Sequence, residues 1–240
     1  MKGGILMALH YESPRYTTDI DFSTPERFTE DVEREALDLI TQALPSMGDV
    51  LGYNVDCRLQ GYKVKPSRTG TWVSLNMRVG YALKGTPAHR RLVAGQSPYS
   101  LSIDFSFRER IPASEEVVIG EDGHLRVYGL STLVAEKLRA LLQQPLRNRN
   151  RRQDVYDLYY LLEQRPALAF APWQQDVLAD LRIKCEDRAV PLSRDAFDNP
   201  EIAERAQRDY DTLYAEVEGD LPEFDAAFER VRAFFRALPW

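Results

Sequence analysis

The chain has 240 residues, 44% of them hydrophobic and 28% charged, and carries a formal net charge of −6. That length allows one large domain or two modest lobes around a substantial core, and the balance excludes a disordered or collagenous chain. Cys57 and Cys185 stand alone and far apart, so neither a Cys-x-x-Cys metal site nor a disulfide framework is expected, and both read as reduced core thiols.

In chain order, Lys2-Gly3-Gly4 leads into the apolar run Ile5 to Leu9, which predicts the start of a short helix through His10. The run is too short to span a membrane and lacks the layout of a secretory signal, so no membrane and a cytoplasmic location are expected. From Thr18 to Phe22 polar and apolar residues alternate, which predicts a strand with Asp19 and Asp21 on one face and Ile20 and Phe22 buried on the other. Thr24-Pro25 reads as an N-cap and first helical residue, followed by Phe28, Val32, Ala36, Leu37, Ile40 and Leu44 at helical spacing until Pro45 to Gly48 ends the helix. Strands are predicted over Val55 to Val64, Trp72 to Leu83 and Tyr99 to Phe107, with a hairpin from Val118 to Val127 turning at Glu121-Asp122-Gly123. Beyond Tyr128 the pattern is helical: Ser131 as cap of a helix to Gln144 stopped by Pro145, then Arg151 to Gln164 and Trp173 to Glu186, with Asn199-Pro200 and Leu221-Pro222 opening two more. The fold class is therefore α+β, a mixed-sheet core lobe over residues 1–127 followed by an all-helical lobe over 128–240.

Two features carry chemistry. Glycines at residues 3 and 4 let backbone N–H groups approach an anion that side chains would otherwise block, and the N-terminus of the following helix favours phosphate. Asp19 and Asp21 bring two carboxylates to one site, where they repel unless cations neutralise them, and hard oxygen ligands of this kind suit Mg²⁺ bound together with substrate phosphates. Either feature alone is commonplace; their order, with Arg15 and Thr17 between them, is not. His10, His89 and His124 form no metal-binding spacing, which disfavours zinc and histidine-based catalysis. From Lys137 to Arg152 the chain carries Lys137, Arg139, Arg147, Arg149, Arg151 and Arg152 with no acid among the last four, a basic stretch suited to RNA or triphosphate.

At these residues the chain resembles the polymerase β-like nucleotidyltransferase superfamily and, within it, the AbiEii/AbiGii (type IV) toxin family. The pattern is Gly3-Gly4, Arg15, Thr17, Asp19 and Asp21, then Asp104 in Leu101-Ser102-Ile103-Asp104-Phe105, Lys137 in Val134-Ala135-Glu136-Lys137-Leu138, and Asp154 in Arg152-Gln153-Asp154-Val155-Tyr156-Asp157-Leu158. The resemblance implies transfer of a nucleoside monophosphate from an NTP to an RNA acceptor, notably the 3′ end of tRNA, by a toxin with an antitoxin partner. It implies Mg²⁺ (or Mn²⁺) on Asp19, Asp21 and Asp104, Asp104 being a third metal ligand or a proton acceptor. It implies nucleotide contacts from Gly3, Gly4, Arg15, Thr17 and Lys137, catalytic roles for Lys137 and Asp154, and RNA contacts from Arg147, Arg149, Arg151 and Arg152. Arg15 either contacts phosphate or braces the Asp19 turn, and the partner of Asp154 is a nearby cation such as Lys137. The alternatives are a protein-modifying nucleotidyltransferase and a nucleotide-binding partner with a disabled site. The family places a strand ahead of its Gly-Gly, whereas this sequence starts at Met1; either the start is mis-assigned or truncated or the fold tolerates the loss, and if the start is genuine the glycines are expected on a frayed terminus.

Overall fold

The computed structural model describes residues 1–50, 52–119 and 123–240. They form two compact units, one continuous over Thr18–Glu109 and the other joining Met1–Thr17 to Arg110–Trp240. The change of texture near Tyr128 marks where strand gives way to helix, whereas compactness groups the opening residues with the helical half. Backbone hydrogen bonds explain this. The Met1 ammonium donates to Arg126 O at 2.7 Å and the Tyr128 N–H to Met1 O at 3.0 Å. The Tyr16 N–H donates to Glu216 O at 2.7 Å and the Glu218 N–H to Pro14 O at 3.0 Å. The expected frayed start is thus corrected: Met1 is buried, and α1 (Gly3–His10) follows it directly.

The continuous unit holds β1 (Asp19–Ser23), α2 (Glu30–Val50), β2 (Val55–Lys65), β3 (Ser74–Leu83), α3 (Pro87–Val93) and β4 (Ser100–Ser106). Its sheet has the order β1-β4-β3-β2, with β1 parallel to β4 and the other pairs antiparallel. Because side chains alternate across a strand, one face collects Leu75, Met77, Ile103 and Phe105, and Phe28 together with Val32, Ala36, Leu37 and Ile40 of α2 packs against that apolar core. Apolar periodicity identified those α2 residues correctly, but not the helix ends. Thr24 follows directly on β1 and is held by backbone bonds rather than by a helix: its N–H donates to Ser106 O and its carbonyl accepts from the Glu109 N–H. The cap is Thr29, whose Oγ1 accepts from the Val32 N–H at 3.2 Å, and Glu30, Asp31 and Glu33 then place carboxylates in the first turn, where the helix dipole favours them. At the other end the helix runs through Pro45, which removes a single N–H donor, and continues to Val50. The short helix α3 was not anticipated, although Thr86-Pro87 marks it: Thr86 Oγ1 accepts from the His89 N–H at 3.2 Å.

The other unit adds an antiparallel hairpin, β5 (Ser114–Ile119) and β6 (Gly123–Tyr128), and the helices α4 (Leu130–Leu142), α5 (Gln144–Arg147), α6 (Arg152–Gln164), α7 (Ala171–Asp187), α8 (Pro200–Gln207) and α9 (Phe224–Ala237). Glu121 and Asp122 of the expected turn lie outside the described residues. Helix α4 is buried on nearly every side and is the central rod, packed against α6 and α7. Ser131, expected as its cap, lies inside it; the Ser131 and Thr132 hydroxyls both donate to Asp180 Oδ2 at 2.8 Å, joining α4 to α7. Asn199 does cap α8, its side chain accepting from the Glu201 N–H at 3.0 Å. Both cysteines are free thiols, and among the described residues no helix is long and apolar enough to cross a membrane. Replacing Thr29 with Ala is expected to cost about 1 kcal/mol, measured as a lower urea midpoint together with faster amide exchange at the start of α2.

Candidate active site

In the helical unit the glycine pair has a geometric reason. Gly3 has φ of 73°, a left-handed conformation that L side chains resist. A Cβ on Gly4 would lie 2.8 Å from Arg15 Nη2 and 3.3 Å from the Thr17 side chain, so the bare backbone there is what admits both residues. Arg15 extends from this turn to α6, donating from Nε to Asp157 Oδ1 at 2.8 Å and from Nη2 to Asp157 Oδ2 at 2.9 Å, a two-pronged pairing. From α4, Lys137 Nζ donates to the same Asp157 Oδ2 at 2.6 Å and to Asp154 Oδ1 at 3.1 Å. Asp154 and Asp157 lie one helical turn apart on α6, which brings both carboxylates to one side.

Asp157 is completely buried, and Arg15 and Lys137 are nearly so. Burial pushes the Asp157 carboxyl up, but the adjacent Lys137 and Arg15 outweigh it and hold the group below the usual carboxylate range. For Lys137, burial works to lower the value; Asp157 and Asp154 overcome it and hold the ammonium above the usual lysine range. Burial likewise opposes the charge on Arg15, and Asp157 reverses that effect. Two cations and two carboxylates therefore neutralise one another in a dry interior. Lys137 was expected to reach out to phosphate; instead its ammonium is held by the two aspartates of α6. The sequence left Arg15 either contacting phosphate or bracing the Asp19 turn; the structure pairs it with Asp157. Asp157 was quoted as part of a pattern but not singled out, although a carboxylate one turn beyond Asp154 inside an apolar stripe is the signal that marks it.

A second ion cluster lies next to the first on α4. Glu136 accepts from Arg139 and is approached by Lys2 Nζ at 3.9 Å and Lys184 Nζ at 3.8 Å, while Lys184 stands 4.6 Å from the Tyr128 ring centroid. Lys2, which precedes the glycines, is therefore anchored rather than loose. The basic stretch is less uniform than its composition suggests. Arg147, Arg149 and Arg151 are exposed, whereas Arg152 is half-buried and donates to Glu216 Oε1 at 2.7 Å and to Thr212 Oγ1 at 3.0 Å. Buried Gln144 organises this loop, accepting from the Arg151 N–H at 2.8 Å through its side chain and from the Arg149 N–H at 3.1 Å through its carbonyl.

In the sheet unit, the parallel register sets Asp21 opposite Asp104 and Asp19 opposite Ser102, and all three carboxylates share the face that α2 leaves uncovered. Asp104 thus lies on the same face as the pair, one strand over. Among the described residues no three His, Cys, Asp or Glu side chains stand close enough together to form a finished metal cage. The donor set is nevertheless all carboxylate oxygen on one half-exposed sheet face, which is the ligand chemistry of a hard divalent cation that keeps part of its water shell.

Carboxylate oxygens on a sheet face and a bare glycine turn at a helix start are both present in this chain, and its class, nucleotidyltransferase, comes from the family it matches. Residues 1–230 match the family described as Nucleotidyl transferase AbiEii toxin, Type IV TA system, and the chain belongs to that family of toxins, which are paired with antitoxins. No curated protein matches the chain.

Replacing Asp157 with Asn would leave buried Lys137 on Asp154 and buried Arg15 on the more distant Glu216, 3.8 Å away, at an expected cost of about 3–5 kcal/mol. The pH dependence has a definite sign. The Asp157 contribution is complete above about pH 4 and is lost as pH falls through its depressed folded value, while that of Lys137 is complete below about pH 10 and is lost as pH rises through its elevated one. Thermal melts of the wild type should therefore fall in acid and in strong base, and Asp157→Asn should show a shallower acid limb. Gly4→Ala should displace Arg15 and lower stability by about 1–3 kcal/mol, read by the same melts.

Proposed function

We propose that this chain is a metal-dependent toxin that transfers a nucleoside monophosphate from an NTP to an RNA acceptor, the 3′ end of a tRNA, and is held in check by its antitoxin. The observation that carries this reading is the placement of Asp21 opposite Asp104, with Asp19 on the same face of the sheet. Asp19, Asp21 and Asp104 would hold Mg²⁺ or Mn²⁺, which when bound offsets charge on the phosphoryl oxygens and makes the acceptor hydroxyl a better nucleophile. The transfer forms a bond between the acceptor oxygen and the α-phosphorus and breaks the α–β bridge, releasing pyrophosphate.

The chain's own residues supply the rest. The uncapped N–H groups at the start of α1, with Gly3 and Gly4 bare, are suited to the leaving pyrophosphate. Arg15 and Lys137 act through Asp157 as positioning residues: they hold the Gly4 turn and Asp154 in a fixed relation. Thr17 lies against Gly4. Exposed Arg147, Arg149 and Arg151 are suited to phosphodiester contacts, while Arg152 serves the Glu216 anchor.

The test offers each α-labelled NTP with Mg²⁺ or Mn²⁺ to total RNA and to lysate protein. Label is expected in RNA of tRNA size, from one preferred NTP, with Asp21→Ala abolishing it while the protein melts as the wild type does. Label in protein alone would replace the acceptor with a protein hydroxyl, and label in neither pool would overturn the enzymatic reading.

A further inference from the structure

The sheet face opposite α2 carries more than carboxylates, and α3 packs on part of it, with Leu92 beside Gly80. Reading across the strands in register from β1 to β2, one row is Asp21, Asp104, Asn76 and Lys63, and the next is Asp19, Ser102, Arg78 and Gly61. Both rows begin in acid, and each brings in a cation toward β2. With strands spaced about 4.8 Å apart, the Arg78 backbone lies about 10 Å from that of Asp19, and Lys63 about 14 Å from Asp21. The residues between are neutral and fixed, Asn76 Nδ2 donating to Ser102 Oγ at 2.8 Å.

Arg78 is the informative member. It is exposed although its neighbours Met77 and Val79 are buried, and it makes no side-chain hydrogen bond or ion pair among the described residues. Some other cations of the same unit are neutralised, Arg58 by Asp56, Arg68 by Glu33 and Lys84 by Asp49, whereas Arg27, Lys65, Arg90 and Arg91 are, like Arg78, without such a partner among the described residues. A lysine on an edge strand is ordinary protection against strand pairing, which accounts for Lys63 on β2 by itself. It does not account for an arginine on β3, an interior strand. Beside Arg78 the facing residue is Gly61, where a Cβ would meet nothing within 4 Å, so the guanidinium has open space on that side. The face therefore runs from an acidic end to a basic end, over about 10–14 Å, a distance short enough for a few nucleotides of single strand to cross.

We propose that Arg78, supported by Lys63, binds the phosphodiester backbone of the acceptor RNA a few nucleotides upstream of its reacting 3′ end. The carboxylates hold the reacting end, and the guanidinium, which suits phosphate oxygens in a two-pronged fashion, sets the direction of the strand across the sheet. This rests on the RNA-acceptor reading given above.

The experiment uses the full chain with Arg78→Gln, Lys63→Gln and the double variant, and a fluorescein-labelled single-stranded RNA of eight or so nucleotides with a free 3′ hydroxyl. Anisotropy titrations across a salt series should show affinity in the double variant reduced roughly tenfold and the slope of log affinity against log salt smaller by about 1.4, about 0.7 for each lost phosphate contact. In kinetic assays the KM for RNA should rise while the KM for NTP stays unchanged, and Arg78→Lys should recover part of the affinity. Unchanged RNA affinity and slope in the double variant would overturn the proposal. So would a raised KM for NTP with the RNA KM unaffected, which would assign the phosphate to the triphosphate. If the wild type labels RNA and the variants behave identically, this inference alone falls; if the wild type neither binds nor labels RNA, the acceptor reading falls with it. Both positions are exposed, and unchanged melting of the variants confirms that they fold.

Discussion

Asp157 has no contact with water, and its charge is met by a guanidinium on one side and an ammonium on the other. Taking each such ion out of water costs several kcal/mol, so the cluster is tolerable only when all members arrive together. That requirement ties three distant pieces of chain to one point: the turn after α1 through Arg15, α4 through Lys137, and α6 through Asp154 and Asp157. It also reaches back to the glycines, because the arginine that neutralises Asp157 lies where a side chain on Gly4 would be. A slip of α4 against α6 would leave a buried charge without its partner, so the ion cluster fixes the helix register more sharply than the surrounding leucines do.

The sheet unit solves a different problem with the same economy. A strand alternates faces at every residue, so β1 and β4 place Ile20, Phe22, Ile103 and Phe105 on one side while Asp19, Asp21 and Asp104 fall on the other. Packing α2 on the apolar side leaves the acidic side available. The chemistry and the core are thus set by one register, and moving either strand by a single residue would exchange them. Across the same face the charge changes sign from β1 toward β2.

Much of this was legible in the residues. Alternation from Thr18 to Phe22 identified β1 and the shared face of its aspartates, and helical spacing identified the apolar side of α2. The Asn199-Pro200 pair marked the start of α8 because its cap needs only neighbouring residues. The errors have local causes too. Thr24-Pro25 carries the same signal as a true cap, but the Thr24 backbone is engaged with Ser106 and Glu109, so the helix begins at Thr29. Ser131 looks like a cap until α7 brings Asp180 to its hydroxyl. Arg152 looks like one more exposed arginine until Glu216 is folded against it.

What the sequence determined by itself is what depends on near neighbours: the period of each element, the faces of its strands, and the family pattern that identifies the glycine turn, the carboxylates and the lysine. Only the tertiary structure decided which charge meets which. It gave Arg15 to Asp157 rather than to solvent, drew the lysine of α4 inward, and grouped the first residues with the helices rather than with the sheet they precede. The physical reason is that backbone pattern is governed by sterics and burial over a few residues, whereas a buried charge is satisfied by whatever group the fold carries to within about 3 Å of it, from any distance along the chain.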